Sequence, residues 1–381
     1  MTGDAQHLLG KIRRLYRSLH EPFVGREEEA RAIVLALLAR EHAVLVGEPG
    51  TAKSAIAHRL AELLNARFFK YLLTKYTEPS ELFGPLDLNA LKQGRYARIT
   101  RGKIPEAEIV FLDEVFNANS AILNALLSIM QERVWYDGYT EIKVPLWTLI
   151  GATNRVPEEP ELEAMYDRFL LRQYAKPLPE NKWSDLLDAG WRIEAGKLPP
   201  AEPVMSLREV AEAHKLVFNV DIEPVKPKLL RLFAILEERG LHLTDRRKAK
   251  TLKVVAANAL LEGRTRAEER DLIVLKYIAP RELADFDKVS IVLSEELKMP
   301  ERFIKELNDI RSNVREAAQL VETMRSYDPR LVDLYRSLKI AKSRIVSITR
   351  ESDDEKVRAL ARETLAEIDD LLEKIAAKLG M

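Results

Sequence analysis

Gly47-Glu48-Pro49-Gly50-Thr51-Ala52-Lys53-Ser54 is the stretch that decides the fold. Before it runs Ala43-Val44-Leu45-Val46, apolar and β-leaning. After it, residues 55–64 carry apolar side chains at helical spacing. A glycine-bearing loop between a strand and a helix is the setting in which backbone amides cradle phosphates. Gly47 and Gly50 allow the turn, Lys53 supplies a point charge for β- and γ-phosphates, and the Ser54 hydroxyl is placed to ligate Mg²⁺. The helix N-terminus adds partial positive charge of its own. Ala52 departs from the common pattern, standing where a second glycine usually precedes the lysine. On the octapeptide alone, a plain Gly-Pro turn before a helix remains the alternative.

The chain has 381 residues, enough for two or three domains. Lys+Arg and Asp+Glu each number 60, giving a formal net charge of zero. That argues against bulk electrostatic attraction to nucleic acid or anionic membrane, though a local basic stripe is compatible with it. The absence of cysteine excludes disulfides, thiol catalysis and thiolate metal sites. His7, His20, His42, His58, His214 and His242 are scattered without ligand spacing and read as satisfied or solvated residues. No signal peptide and no long apolar run is found, so a cytoplasmic protein without a membrane segment is expected.

Working outward, the first 180 residues alternate short apolar strands with amphipathic helices, the pattern of an α/β domain with a parallel sheet. Strands are predicted at 43–46, 67–73, 108–112 and 147–152, with a short one at 169–174. A proline-spaced stretch from Pro177 to Pro203 marks a change of character. Residues 181–290 then read as an all-helical lid domain, with Leu229, Leu232, Phe233 and Leu236 on one helical face. Residues 291–381 are charged and helical, predicting a bundle of two or three helices or a helical hairpin.

Ile109-Val110-Phe111-Leu112-Asp113-Glu114 is a buried-strand pattern ending in two acids. At the carboxyl edge of a parallel sheet, Asp113 can hold a Mg²⁺ shell and Glu114 can polarise an attacking water. Residues 146–154 end a further strand in Asn154, at the same edge, where an amide can orient that water. The ordered set of 47–54, Asp113-Glu114, Asn154, Tyr166-Asp167-Arg168-Phe169 and Thr244-Asp245-Arg246-Arg247 resembles an AAA+ ATPase. Within that group the chain is similar to the MoxR class, and most to its RavA-like branch. Residues 77–86, 104–114 and 162–168 carry this likeness, which spans roughly 5–290.

The resemblance implies ATP and Mg²⁺ as ligands and a fold with a P-loop AAA+ parallel-sheet core, an all-α lid and a C-terminal helical domain. It implies Arg168 as an arginine finger reaching a neighbouring subunit's γ-phosphate, with Arg172 as a rival. A guanidinium fork stabilises the charge spreading on a departing phosphoryl group, an effect worth about 10³–10⁵ in rate. Arg246 matches a second sensor on the lid, and Arg247 beside it is able to share that role. Val24-Gly25-Arg26 resembles the segment lining the adenine pocket through Val24 and Gly25. Residues 78–104 are expected to form a small β-structure with a turn at 92–95. Residues 133–145 are expected to form a hairpin around Asp137-Gly138, with Trp135, Tyr136 and Tyr139 either contacting a client or packing across the strands.

RavA-like proteins can carry a β-rich domain among their C-terminal helices, whereas residues 300–381 read as helical and too short to hold it. The favoured reading is a chaperone-like remodeller: a hexameric ring that hydrolyses ATP at shared interfaces, acting with a von Willebrand factor A (vWA) domain protein on a protein client. Nucleic acid is not an expected partner. The alternatives are an AAA+ nucleic-acid motor, a chelatase subunit, or a scaffold that binds nucleotide and hardly hydrolyses it.

Overall fold

Four consecutive buried residues, Ala43–Val46, form β1, and this apolar strand sits inside a five-stranded parallel sheet. The others are β2 (Phe68–Leu72), β3 (Ile109–Asp113), and, beyond a separate hairpin of β4 (Val134–Asp137) and β5 (Thr140–Lys143), β6 (Thr148–Thr153) and β7 (Leu171–Tyr174). The order across the sheet is β2-β3-β6-β1-β7. Strands buried on both faces read as continuous apolar runs, which is why β1, β3 and β6 were legible without any alternation. This is a computed structural model; it describes every residue except 1–2, 139, 198–199, 298–299, 327, 353 and 381.

The chain forms two compact units, Met1–Val289 and Ser290–Met381. In the first, helices Glu27–Ala39 and Lys53–Leu64 pack on the sheet, helix Gly3–His20 packs on both of them, and Lys53–Leu64 buries Ile56, Leu60 and Leu63. Helices Leu207–Val217 and Asp245–Leu261 pack back on helix Glu27–Ala39. Buried Glu41, just ahead of β1, pairs with Lys250 (2.8 Å) and Lys253 of helix Asp245–Leu261. The second unit is a three-helix bundle of Pro300–Thr323, Arg330–Glu351 and Glu355–Leu379, with Phe303, Leu307, Leu338, Ile345 and Ile368 in its core.

Two expectations for the inserted segments need correction. Residues 78–104 hold helices Pro79–Phe83 and Leu88–Lys92 and a single bridge between Leu86 and Arg98, instead of a small β-structure. The physical reason is capping: the Glu78 and Glu81 side chains form a reciprocal box at the first helix, and Asp87 accepts from Asn89 and Ala90 at the second. Residues 92–95 serve as that second helix's exit, with Gly94 at φ +70°. The hairpin exists, but Asp137 is within its ladder opposite Thr140, so its loop begins at Gly138. Tyr139 lies outside the described residues.

The insert and the hairpin are tied together. Trp135 is buried and stacks on Phe83 with ring centroids 5.1 Å apart. The Arg98 guanidinium donates to Asp137 at 2.9 Å and to the Gly84 carbonyl at 3.0 Å. Trp135 is therefore a packing residue, while Tyr136 stays exposed and donates to Glu132.

Arg247, expected beside Arg246 as a possible sensor, is a structural cation. It is buried, and donates to the carbonyls of Phe169 (3.0 Å), Leu170 (2.7 Å) and Ile278 (2.5 Å). Burial, then Arg172 nearby, pull its pKa well below the usual guanidinium value. Arg247→Leu leaves three buried carbonyls without a donor, so unfolding free energy should fall by about 3 kcal/mol or more. Denaturant unfolding of the two proteins measures it, and equal midpoints would refute the structural role.

Candidate active site

The site is assembled by strand register. The Gly47 N–H donates to the Thr153 carbonyl at 3.0 Å, which sets the start of the loop 47–54 against Asn154. β3 pairs with β6 on the other side, bringing Asp113 and Glu114 to the same carboxyl edge. Strands far apart in the sequence thus deliver their ends to one line at the point where the strand order reverses, the position where parallel α/β sheets hold ligands.

Within the loop, Gly47 is required by contact: a Cβ there would lie 2.6 Å from the Ala175 carbonyl oxygen. Gly50 has φ +82° and open space around it. Ala52 holds φ +61° and ψ +14°, a left-handed conformation at the residue immediately before the helix starting at Lys53. The unusual alanine thus keeps the backbone shape that a glycine would give, at a steric cost of about 1–2 kcal/mol. The Thr51 hydroxyl donates to the Glu48 carbonyl at 2.9 Å. The Lys53 ammonium donates to the carbonyls of Gly47 (2.6 Å) and Glu48 (2.8 Å). Burial lowers the Lys53 pKa, while the charges of Asp113 and Glu114 oppose that.

Glu114 is also left-handed, with φ +49° and ψ +48°. Backbone strain of this kind in a non-glycine residue, next to a phosphate loop, points to a side chain held for function. Burial raises its carboxyl pKa, and the Asp113 charge raises it further. Lys53 and the Asn154 backbone N–H work in the other direction. Glu114, Asp113, Lys53 and Asn154 therefore sit in one electrostatic neighbourhood.

Arg168 and Arg246 belong to a different one. Arg168 ends helix Pro160–Arg168 and donates to Gln131 at 2.9 Å, and its Nε is buried without a partner. Burial lowers its pKa, the Arg246 charge adds to that, and Asp167 opposes both. The Thr244 hydroxyl donates to Asp167 at 3.2 Å, docking the start of helix Asp245–Leu261, and with it Arg246, beside Arg168. Arg172, the rival finger, is buried: it donates to the carbonyls of Pro280 (2.8 Å) and Tyr166 (3.1 Å) and lies 3.7 Å from the Tyr166 ring centroid. Its bonds make it a packing residue.

A cleft of about 500 Å³ opens from the loop and is lined by Val24 and Arg26, with the loop residues Glu48–Ala52 as another wall. Gly25 has φ +65°, and a Cβ there would strike Leu178 at 2.4 Å, so this glycine lets segment 22–26 close on 177–178. The third wall is helix Trp183–Glu194, which the sequence reading passed over. Its signal was the spacing of Trp183, Leu186, Ala189, Gly190 and Ile193 directly after Pro177 and Pro179. Among the described residues no cluster of three or more metal-ligating side chains occurs, and no helix is long and apolar enough to cross a membrane.

A parallel sheet with a lysine loop at its switch point, an acid pair on the neighbouring strand end and a helical lid defines a nucleotide-binding AAA+ fold. A family model described as the MoxR domain of MoxR–vWA–β-propeller ternary systems matches residues 10–215, and one for an AAA lid domain matches residues 225–293. The chain belongs to the MoxR family of AAA+ ATPases. It is 41% identical over 286 residues to an uncharacterized protein of Methanocaldococcus jannaschii, covering 74% of each chain. A chaperone, MoxR1 of Mycobacterium tuberculosis, is 26% identical over 226 residues, covering 57% of this chain and 58% of that one. A solved structure from Cytophaga hutchinsonii, of a protein proposed to be an ATPase, shares the fold with a TM-score of 0.64 and 20% identity, over 77% of this chain and 95% of that one.

Ala52→Gly removes the left-handed strain without changing any side-chain contact the loop uses. The nucleotide-free protein should gain about 1 kcal/mol, read as a higher unfolding midpoint. A loss of stability would show that the Ala52 methyl contributes packing that outweighs the strain.

Proposed function

We propose that this chain hydrolyses ATP in a site shared between subunits of a ring, and that it uses the hydrolysis to remodel a protein client together with a vWA-domain partner. The observation that carries the shared site is the placement of Arg168 at the end of helix Pro160–Arg168, held by Gln131, while Asp113, the last residue of β3, and Glu114 after it lie at the carboxyl edge that also carries the loop 47–54. A guanidinium there fits the arginine finger that the AAA+ resemblance directs at a neighbouring subunit's γ-phosphate. The vWA partner is supported by the description of the matching family domain, and the remodelling role by the name of the mycobacterial relative.

In this reading the backbone N–H groups of Gly50, Thr51 and Ala52 and the Lys53 ammonium hold the β- and γ-phosphates. Ser54 and Asp113 fit Mg²⁺ as a hydroxyl and a carboxylate, hard oxygen donors of the kind that bind it together with substrate phosphates. Bound there, Mg²⁺ would neutralise phosphate charge. Glu114, its carboxylate favoured by the Asn154 N–H, takes a proton from the attacking water as that water approaches the γ-phosphorus. The Asn154 amide, exposed at the end of β6, orients the same water. The γ-phosphoryl leaves its bond to ADP, Arg168 of a neighbouring subunit stabilises the charge that spreads over its oxygens, and Arg246 on the lid is the sensor of the γ-phosphate.

Glu114→Gln should keep ATP binding and lower turnover by about 10²–10⁴-fold. The base acts only when ionised, and its folded pKa is raised. As pH falls through that raised pKa the carboxylate is protonated and kcat/KM falls, beginning at higher pH than for an exposed glutamate. A pH profile with no acid limb above the ordinary glutamate range would remove Glu114 from the role. Unchanged turnover in Glu114→Gln would favour the scaffold alternative.

Arg168→Ala should bind ATP and lose hydrolysis by about 10³-fold or more. Lys53→Ala should lose binding, yet it still carries Arg168. Mixing these two inactive proteins should restore part of the wild-type rate, because a ring can then join an intact loop to an intact finger. A silent mixture of variants that still assemble would sink the interface model.

A further inference from the structure

We propose that Phe116 is a positioning residue for the arginine finger. It ties the turn that carries Glu114, the base of a subunit's own site, to the helix end that carries Arg168, which serves the next subunit's site. This inference rests on the shared-site reading above. Glu114 opens the short turn Val115–Asn117, and the Asn117 N–H donates to the Glu114 carbonyl at 2.8 Å, closing that turn around Phe116. The Phe116 ring is buried and meets two aromatic rings edge-on, Tyr166 at 5.7 Å and Phe169 at 6.1 Å between centroids. Those two residues bracket Asp167-Arg168 in the sequence. A side chain two residues from the base thus holds the finger's backbone on both sides of it.

The fit leaves these groups little freedom. Edge-to-face aromatic pairs hold a preferred geometry beyond their apolar burial. Gly151, on the strand leading to Asn154, makes room for them: a Cβ there would come within 2.9 Å of the Phe169 ring and 3.1 Å of Val115. That missing side chain lets the Glu114 turn and the residue after the finger meet over β6. Tyr166 is fixed by further contacts, since its hydroxyl donates to the Arg281 carbonyl at 3.1 Å and the Arg172 guanidinium lies 3.7 Å from its ring centroid. Arg168 itself is held by less. Its guanidinium donates to Gln131, and its buried Nε has no partner among the described residues. Where the finger points is therefore set by the helix end that Phe116, Tyr166 and Phe169 define. Close-packed side chains pass a shift on to their neighbours instead of absorbing it. A subunit whose Glu114 turn rearranges re-aims the finger it offers to the next subunit.

The bland alternative is that Phe116 only fills the core beneath Glu114. Mixed rings separate the two. Arg168→Ala subunits keep an intact phosphate loop and Lys53→Ala subunits keep an intact finger, so the ATPase rate of their mixture reads one subunit's finger acting on its neighbour's loop. Phe116→Leu is added to the Lys53→Ala subunit, which has no working site of its own. It should lower the restored kcat about tenfold and leave KM for ATP unchanged. Phe116→Tyr in the same place keeps an aromatic edge and should hold the rate within about twofold of the parent mixture. Size-exclusion chromatography and the unfolding midpoint of each variant follow assembly and folding. An unchanged rate with Phe116→Leu in the Lys53→Ala subunit would overturn the inference, as would a loss seen only when Phe116→Leu is carried by the Arg168→Ala subunit. Equal losses for Phe116→Leu and Phe116→Tyr, matched by a loss of assembly, would overturn it too and leave Phe116 as a core residue. If the parent mixture stayed silent while both proteins assembled, the shared-site reading itself would fall, and this inference with it.

Discussion

Everything chemical in this molecule depends on the parallel register of β1, β3 and β6. A single hydrogen bond, from the Gly47 N–H to the Thr153 carbonyl, joins the exit of β1 to the exit of β6. Because the strands run the same way, three chain exits far apart in sequence reach one edge in step. A one-residue slip would turn every side chain of a strand to its other face and separate Asp113 from Lys53. The buried apolar runs hold that register: each of β1, β3 and β6 is closed to water along nearly its whole length.

Two strained backbones mark the same edge. Ala52 and Glu114 are both left-handed residues without the excuse of glycine, one before the phosphate-facing helix and one directly after the strand of acids. The surrounding sheet overdetermines their conformations, so the strain is carried by the core and not relieved locally. Around them, the cations divide by their partners. Arg172 and Arg247 are bound to backbone carbonyls that join β7 to the lid helices, whereas Arg168 and Arg246 are only half-buried.

The parts of the fold that sequence made legible are those governed by local pattern. β1, β3 and β6 emerge from apolar runs, and the loop 47–54 and the acids at 113–114 from residue types whose chemistry is specific. The lid and the C-terminal helices followed from helical periodicity. What failed has physical reasons. Side-chain caps at Glu78 and Asp87 won over weak strand propensity in 78–104. In Arg246-Arg247, sequence shows two equal arginines, and only the packing of helix Asp245–Leu261 decides which one is buried. The same holds for Arg168 and Arg172. Helix Trp183–Glu194 carried a helical spacing in the sequence, but that it shares a cleft with the distant segment 22–26 depends on tertiary packing.

The tie between the two inserted segments has a mechanical consequence. Phe83 on Trp135 and Arg98 on Asp137 clamp a helical insert to a β-hairpin that begins about fifty residues later in the chain. The hairpin in turn follows helix Ser120–Glu132, whose start is separated from Glu114 by little more than the short turn Val115–Asn117. Insert and hairpin are thus a single lever with one fulcrum. A displacement of helix Ser120–Glu132 would therefore have to carry both arms together or break the clamp of Phe83 on Trp135 and Arg98 on Asp137.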